Sequence, residues 1–265
     1  MGHEVVVGVE GTLSSRRAVH WAAEAAWARR TELLLVHAVG KPAPGQEAAW
    51  SQAVDGGVHE MLRREADRVR RAEPGLTVRA EVDLDTPARA LTQRSRTAQL
   101  VVVGTRRTTA AQRVFSGSLS YQVAAGASCS VAVVPPLTGH AENRVVVGLD
   151  HSADAQAAVR AGAREADRVG ARLELLHAWQ PPGEAGDRAL VDGAADDLAD
   201  DFPGLAVDRR LVQSHPAIAL LTAAAGARLL VVGSRGTDGV PRIPLGATSH
   251  ALVLHAPCPV LVVRT

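Results

Sequence analysis

Short, wholly apolar runs alternate with amphipathic stretches along the whole chain. Residues 4–9 (Val5-Val6-Val7 at the centre), Leu33-Leu34-Leu35-Val36, a run near 76–83, Leu100-Val101-Val102-Val103 and Val131-Ala132-Val133-Val134 each have strand length and are rich in Val and Leu. Between them apolar residues recur at helical spacing. Ala18, Trp21, Ala22, Ala25 and Ala28 mark a helix over 15–29, and Met61, Leu62 and Val69 mark one within about 47–72. Pro87, a favourable first-turn residue, opens a third, and a fourth lies near 117–127. The same succession then returns: 145–149, 153–169, 172–178, 187–200, 205–212, 216–226, 229–233, 246–255 and 259–263. Continuously apolar strands alternating with helices predict a parallel sheet covered on both faces, with right-handed crossovers.

The return is an internal repeat. Val5-Val6-Val7-Gly8-Val9-Glu10 recurs as Val145-Val146-Val147-Gly148-Leu149-Asp150 and His37-Ala38 as His177-Ala178, both at an offset of 140. Pro87 then matches Pro216, Val102-Val103-Gly104 matches Val231-Val232-Gly233, Gly117 matches Gly246 and Cys129 matches Cys258, all at 129. The 11-residue difference falls between His37 and Pro87, and the Pro- and Gly-rich 40–57 is read as the loop that absorbs it. Two copies of so long a period are a tandem domain duplication, with domains at 1–137 and 143–265 joined by a short Pro-containing link. Each is expected to be a doubly wound α/β domain of five parallel strands and four helices. Such folds bind ligands beyond the carboxyl ends of the strands, where strand order reverses.

Composition removes several function classes. Lys+Arg is 29 against Asp+Glu 28, so no broad basic field points to nucleic acid. Aromatic residues make up 3% of the chain, too few for a base-stacking platform. No apolar run approaches the roughly 20 residues of a membrane span, and residues 1–11 do not read as a leader, so a cytoplasmic location is expected. The only Gly-Lys pair, Gly40-Lys41, is followed by Pro42, which excludes a Walker-type phosphate loop. Cys129 and Cys258, far apart, form neither a disulfide framework nor a CxxC motif and are read as buried small hydrophobes.

The candidate chemistry sits at the strand ends. The first strand of each copy runs into Glu10 or Asp150. An acidic residue there accepts from an amine or a ribose hydroxyl, or else caps the following helix, a role open also to Ser14 and Ser152. The fourth strand of the second copy ends in Gly233-Ser234-Arg235-Gly236, and nine residues later Gly246-Ala247-Thr248-Ser249 opens a helix. Glycines let backbone N–H groups approach an anion, a helix start adds donors and the positive dipole end, and Arg235 or Arg242 adds charge. That makes a phosphate cradle, although glycines also punctuate loops and Ser or Thr also cap helices without any ligand.

The spacing Gly-x2-Gly-x9-Gly, between a Val-Val-Gly strand and a Cys-Pro-Val strand, resembles the universal stress protein family. So do Val147-Gly148-Leu149-Asp150-His151-Ser152 and Leu175-Leu176-His177-Ala178-Trp179. The resemblance covers nearly the whole chain, twice. It implies strand order 3-2-1-4-5 in each domain, a mostly regulatory stress-response role, and ATP (with Mg²⁺) at the switch points of some members. Carried over residue by residue, the implied nucleotide contacts of the second copy are Asp150, Ala178, Val232, Gly233, Arg235, Gly236, Gly246, Thr248 and Ser249. The hydroxyl usual after the third glycine is missing at Ala247. The first copy implies Glu10, Ala38, Val103, Gly104, Gly117, Ser118 and Ser120, with Arg107 in place of the middle glycine. An Arg there either strains the loop or, with Arg106, pairs with a phosphate.

His37 and His177 have no second ligand at short spacing, so no metal site is assigned. His250 and His255 are read as packing or capping groups. Ser116-Gly117-Ser118 does not fit the Gly-x-Ser-x-Gly elbow of hydrolases. No catalytic residue is named, and the furthest catalytic reading is a slow ATPase. The apolar last strands, 130–134 and 259–263, would be exposed edges unless paired. The resemblance implies a dimer through this strand, here an internal pseudo-dimer, with room for a homodimer of whole chains. Two functions stand: a regulatory protein binding an adenine nucleotide, or a scaffold of the same fold with empty sites.

Overall fold

The computed structural model describes residues 4–42, 54–105, 118–136, 142–181, 185–236 and 244–265, and the chain divides into two compact units, Met1–Pro136 and Leu137–Thr265. The first unit runs β1 (Glu4–Gly8), α1 (Leu13–Ala28), β2 (Glu32–Ala38), a π-helical turn (Val54–Val58) continuing into α2 (His59–Ala72), β3 (Val78–Asp83), α3 (Pro87–Arg94), β4 (Leu100–Gly104), α4 (Leu119–Gly126) and β5 (Ser130–Val134). Its strands lie in the order β3-β2-β1-β4-β5, every pairing parallel. The second unit repeats this with β6 (Arg144–Gly148), α5 (Ala153–Arg168), β7 (Arg172–Trp179), α6 (Ala185–Ala199), β8 (Val207–Gln213), α7 (Pro216–Ala223), β9 (Leu229–Gly233), α8 (Ala247–His255) and β10 (Val260–Val263), in the order β8-β7-β6-β9-β10. Each unit is therefore a doubly wound α/β sheet of order 3-2-1-4-5 with four helices.

The apolar strands are buried because helices cover both faces. Val5, Val6, Val7, Val145, Val146, Val147, Leu230 and Val231 have no measurable or nearly no solvent contact. Their helical partners are small: Ala18, Ala22 and Ala26 on α1 and Ala158, Gly162 and Ala163 on α5 face the sheet, so the helices lie close. The edge strands β3 and β8 differ. Arg79, Glu81, Arg209 and Arg210 interrupt their apolar pattern, and charge on an edge discourages further strand addition. The first helix of each unit ends through a left-handed residue, Arg30 (φ 51°) in α1 where the second unit has Gly170 (φ 60°).

Two expectations need correction. The stretch 40–57 is not wholly a loop: residues 54–58 form the π-helical turn, since the chain enters α2 earlier than its Gly56-Gly57 pair suggests, and residues 43–53 lie outside the described residues. The cysteines are not equivalent either. Cys258 is 3% exposed, and burial pushes its thiol up to about 12, whereas Cys129 is partly exposed. A thiolate is the reactive form. Titration of the native protein with a disulfide reagent is therefore expected to modify Cys129 alone, and Cys258 only after denaturation; equal rates at both would refute the burial. Among the described residues no helix is long and apolar enough to cross a membrane, and no group of three His, Cys, Asp or Glu side chains is placed to hold a metal ion.

Candidate functional site

In the second unit β6 lies between β7 and β9, so strand order reverses beyond its carboxyl end. Asp150 stands there, two residues past the strand. Its Oδ1 accepts the Ser152 N–H at 2.9 Å, which folds the chain back into α5. Ser152 caps α5 by accepting the Ala155 N–H at 3.1 Å, and its hydroxyl donates to the Arg235 carbonyl at 3.2 Å. The cap therefore falls to Ser152, not Asp150. The same serine stitches the β6–α5 loop to the glycine loop after β9.

The three glycines stand in different surroundings. A Cβ on Gly233 would lie 2.8 Å from the Asp154 carbonyl carbon and 3.0 Å from the Ala155 nitrogen, because α5 starts directly over the end of β9. A Cβ on Gly236 would lie 2.6 Å from Asp150 Oδ2, so the glycine leaves that carboxylate oxygen its space. Gly246 caps α8 (φ −63°) and donates its N–H to the Ser234 carbonyl at 2.9 Å, and a Cβ there would meet nothing closer than 3.6 Å. Backbone packing thus demands glycine at 233, a side chain at 236 would have to displace the Asp150 carboxylate, and the protein itself does not demand glycine at 246.

The remaining residues of the set are placed as follows. Ser249 is buried and donates its only hydroxyl proton to the Gly233 carbonyl at 2.7 Å, so it has acceptor lone pairs alone to offer a ligand. Thr248 is half-buried in the first turn of α8, and Arg235 is exposed with Nε 3.9 Å from Asp154. Ala178 is half-buried near the end of β7, and Val232 is buried in β9. Arg242 lies outside the described residues.

Two residues take positioning roles that the sequence did not assign. Asp154, in the first turn of α5, is 6% exposed. Its carboxylate accepts the Ser234 hydroxyl at 2.6 Å, the Arg235 N–H at 3.2 Å and the Thr265 hydroxyl at 2.8 Å. Burial pushes its pKa up, but these hydrogen bonds and the Arg235 charge outweigh that and hold the carboxyl below its ordinary 3.8. The only signal in the sequence was an acid in a helical first turn. His177 is the other. Its Nδ1 lies 2.7 Å from the Leu149 carbonyl, and since a carbonyl only accepts, Nδ1 carries the proton. The ring thereby fixes the peptide immediately before Asp150. Its Nε2 is 3.3 Å from Asp187, and the His151 ring stands edge-on at 6.3 Å. His37 does the same in the first unit, with Nδ1 2.6 Å from the Val9 carbonyl, one residue before Glu10. The repeated His-Ala pair thus marks a positioning contact.

The first unit keeps the same frame. Glu10 is exposed, its N–H donating to Ser15 Oγ at 2.9 Å, and Thr12, not Ser14, caps α1. A Cβ on Gly104 would meet the Ser14 carbonyl oxygen at 2.8 Å, the counterpart of Gly233 on Asp154. Ser118 caps α4 by accepting the Tyr121 N–H, with the buried Ser120 hydroxyl 3.4 Å away. Ala38 ends β2 and Val103 is buried in β4. Arg106, Arg107, Ser116 and Gly117 lie outside the described residues.

A family model described as the universal stress protein family matches residues 1–135 and again 142–264. The chain belongs to the universal stress protein family. A universal stress protein of Mycobacterium tuberculosis is 32% identical over 99% of this chain and 97% of its own length. One of Mycolicibacterium smegmatis is 31% identical over 98% and 96%. The crystal structure of a universal stress protein from Archaeoglobus fulgidus superposes with a TM-score of 0.78 at 17% identity, covering 98% of both chains, a likeness of fold. In this universal stress protein both relatives and family model span the two units, so the duplication is a property of the whole architecture.

Proposed function

We propose that this universal stress protein is a cytoplasmic regulatory protein of the stress response that binds an adenine nucleotide, ATP foremost, with the second unit as its better-formed site. One observation carries the reading: Asp150 Oδ2 faces the bare Cα of Gly236 at the strand-order reversal, beside the N-terminus of α8. The donor set fits the ligand. A carboxylate accepts a ribose hydroxyl, while the amide groups and dipole at the start of α8, with Thr248 and the exposed Arg235, suit phosphate oxygens. Mg²⁺, where present, would arrive on the phosphates and neutralise their charge. His177 and Ser152 hold the two loops in register for this contact, and no residue is assigned a chemical step.

A second reading, a scaffold that binds partners without nucleotide, is favoured by the donors already committed within the protein. Ser249 Oγ is bonded to Gly233, the Arg235 N–H to Asp154, and residue 247 is an alanine. Calorimetric titration of ATP–Mg²⁺ into nucleotide-stripped protein separates the two. Gly236→Arg is the control of choice, because a side chain at 236 fills the space beside Asp150 whereas one at 233 strikes the backbone of α5. Binding is expected in the parent and at least about tenfold weaker in the variant. Undiminished binding would move the site to the first unit, and no heat at about millimolar ATP would leave the scaffold reading.

A further inference from the structure

The first unit holds a cavity of about 330 Å³ between the start of α1 and the beginning of α2. Gly11, Gly56, Gly57 and Met61 form its bare walls, and Arg16, Arg64, Arg68, Glu60 and Glu65 its charged ones. Gly56 and Gly57 have no atom within 4 Å of a Cβ position, so the wall there is open backbone. Glu65, on α2, is 3% exposed. Its Oε1 accepts from Arg16 Nε at 3.0 Å and its Oε2 from Arg68 Nη1 at 2.5 Å. One buried carboxylate thus fixes two guanidinium groups from two helices. Among the described residues it is the only partner of either, so the terminal nitrogens of Arg16 keep unspent donors. Glu60 is answered separately, by Arg63 and Arg64, which hold its carboxyl down to about 2. Among the described residues, three arginines against two glutamates give the lining a surplus positive charge.

The second unit is an internal control on whether the fold needs this cluster. Leu62, Ala66 and Val69 of α2 correspond at the offset of 129 to Val191, Ala195 and Leu198 of α6, and all six are buried. The apolar seam is therefore kept. At the same offset Glu65 becomes Ala194 and Arg68 becomes Asp197, while Arg16, at 140, becomes the exposed Gln156. A helix that packs as well without the triad shows that packing does not require it.

We propose that this cavity is an anion site that binds the phosphate group of a small phosphorylated molecule, with Arg16 and Arg68 on the phosphate oxygens and Glu65 as their positioning residue. Two guanidinium forks approaching from different helices suit a tetrahedral group with several acceptor oxygens; a planar carboxylate is matched by a single fork. The cavity volume is at the lower end of small-molecule sites. The site is independent of the nucleotide reading, since it shares none of the residues assigned to either switch point.

The test uses inorganic pyrophosphate as probe, with the full-length protein, by calorimetry and by ³¹P line width. Binding is expected in the parent, at least roughly tenfold weaker in Arg16→Gln/Arg68→Gln, and unchanged in Gly236→Arg. A second pair, Arg71→Gln/Arg96→Gln, removes the same charge from exposed positions that do not line the cavity, and is expected to bind as the parent does. Thermal melts of both pairs check that the fold is kept. No binding at about millimolar pyrophosphate, undiminished binding in Arg16→Gln/Arg68→Gln, or an equal loss in the two arginine pairs would each overturn the assignment.

Discussion

Gly233→Val is expected to destabilise the second unit by about 2–3 kcal/mol, before any ligand is considered. The first atom of the new side chain would lie 2.8 Å from the Asp154 carbonyl carbon and 3.0 Å from the Ala155 nitrogen. Both belong to backbone that α5 has already fixed, so neither can swing aside as a flexible side chain would. Relief requires lifting the start of α5 off β9, which exposes Ala155, Ala158 and Val231. Hydrogen exchange resolved by segment reads the result: amides of β6 and β9 lose protection while those of β1 and β4 keep theirs. Gly104→Val, whose Cβ would meet the Ser14 carbonyl oxygen at 2.8 Å, reverses the pattern. Unchanged protection in both variants would mean that the first glycine of the motif serves a ligand only.

Asp154→Ala is expected to cost about 3 kcal/mol, the second large effect, because it strands the Ser234 hydroxyl, the Thr265 hydroxyl and the Arg235 N–H at once. Asp154→Asn keeps the shape and one acceptor oxygen, and should cost less. The pH dependence has a fixed sign. The folded-state pKa of Asp154 is depressed, so its stabilisation is fully present above the ordinary 3.8 and is lost as pH falls through the folded value. His250 acts in a higher window. Burial and the nearby His255 lower its pKa from 6.5, so the folded state resists protonation and loses stability as pH falls below 6.5. Denaturant melts from pH 7 to pH 3 should show a decline beginning near 6.5 and a further one near and below 3.8. Asp154→Ala should shrink the second, which Glu60 shares, and leave the first unchanged. A parent and variant with the same acid limb would contradict the role given to this carboxylate.

The fold was legible because its signals are local and repeated. Runs such as Val5-Val6-Val7 and Leu33-Leu34-Leu35-Val36 admit no polar face, which places them inside a covered sheet, and the second copy confirms each element. The strand borders differ by a residue or two, as at β2, which extends through His37 and Ala38 because its ladder with β3 continues as His37 opposite Val82 and Ala38 opposite Asp83. The π-helical turn at 54–58 was not legible: its two glycines look like loop residues, and only the continuation into α2 holds them in helical form.

The candidate site was half legible. Spacing located Asp150, Gly233, Gly236 and Gly246 together at one strand-order reversal, since motif and topology are both carried by the chain. It did not separate the reasons for the three glycines, which depend on what stands opposite: the backbone of α5, a carboxylate oxygen, or nothing within 3.6 Å. Nor did it show that Ser249 is turned inward onto Gly233, because a hydroxyl's direction depends on how α8 meets β9.

The sequence by itself determined the duplication, the order of strands and helices, and the family; hydrophobic period and residue spacing carry all of these along the chain. Tertiary structure alone decided which polar atoms are spent and which are left over. Asp154 meets Ser234 and Thr265 across 80 and 111 residues, and Glu65 meets Arg16 across 49. Such pairings have no signature in the sequence, because a carboxylate's partner is chosen by the packing of helices onto the sheet and not by its neighbours in the chain.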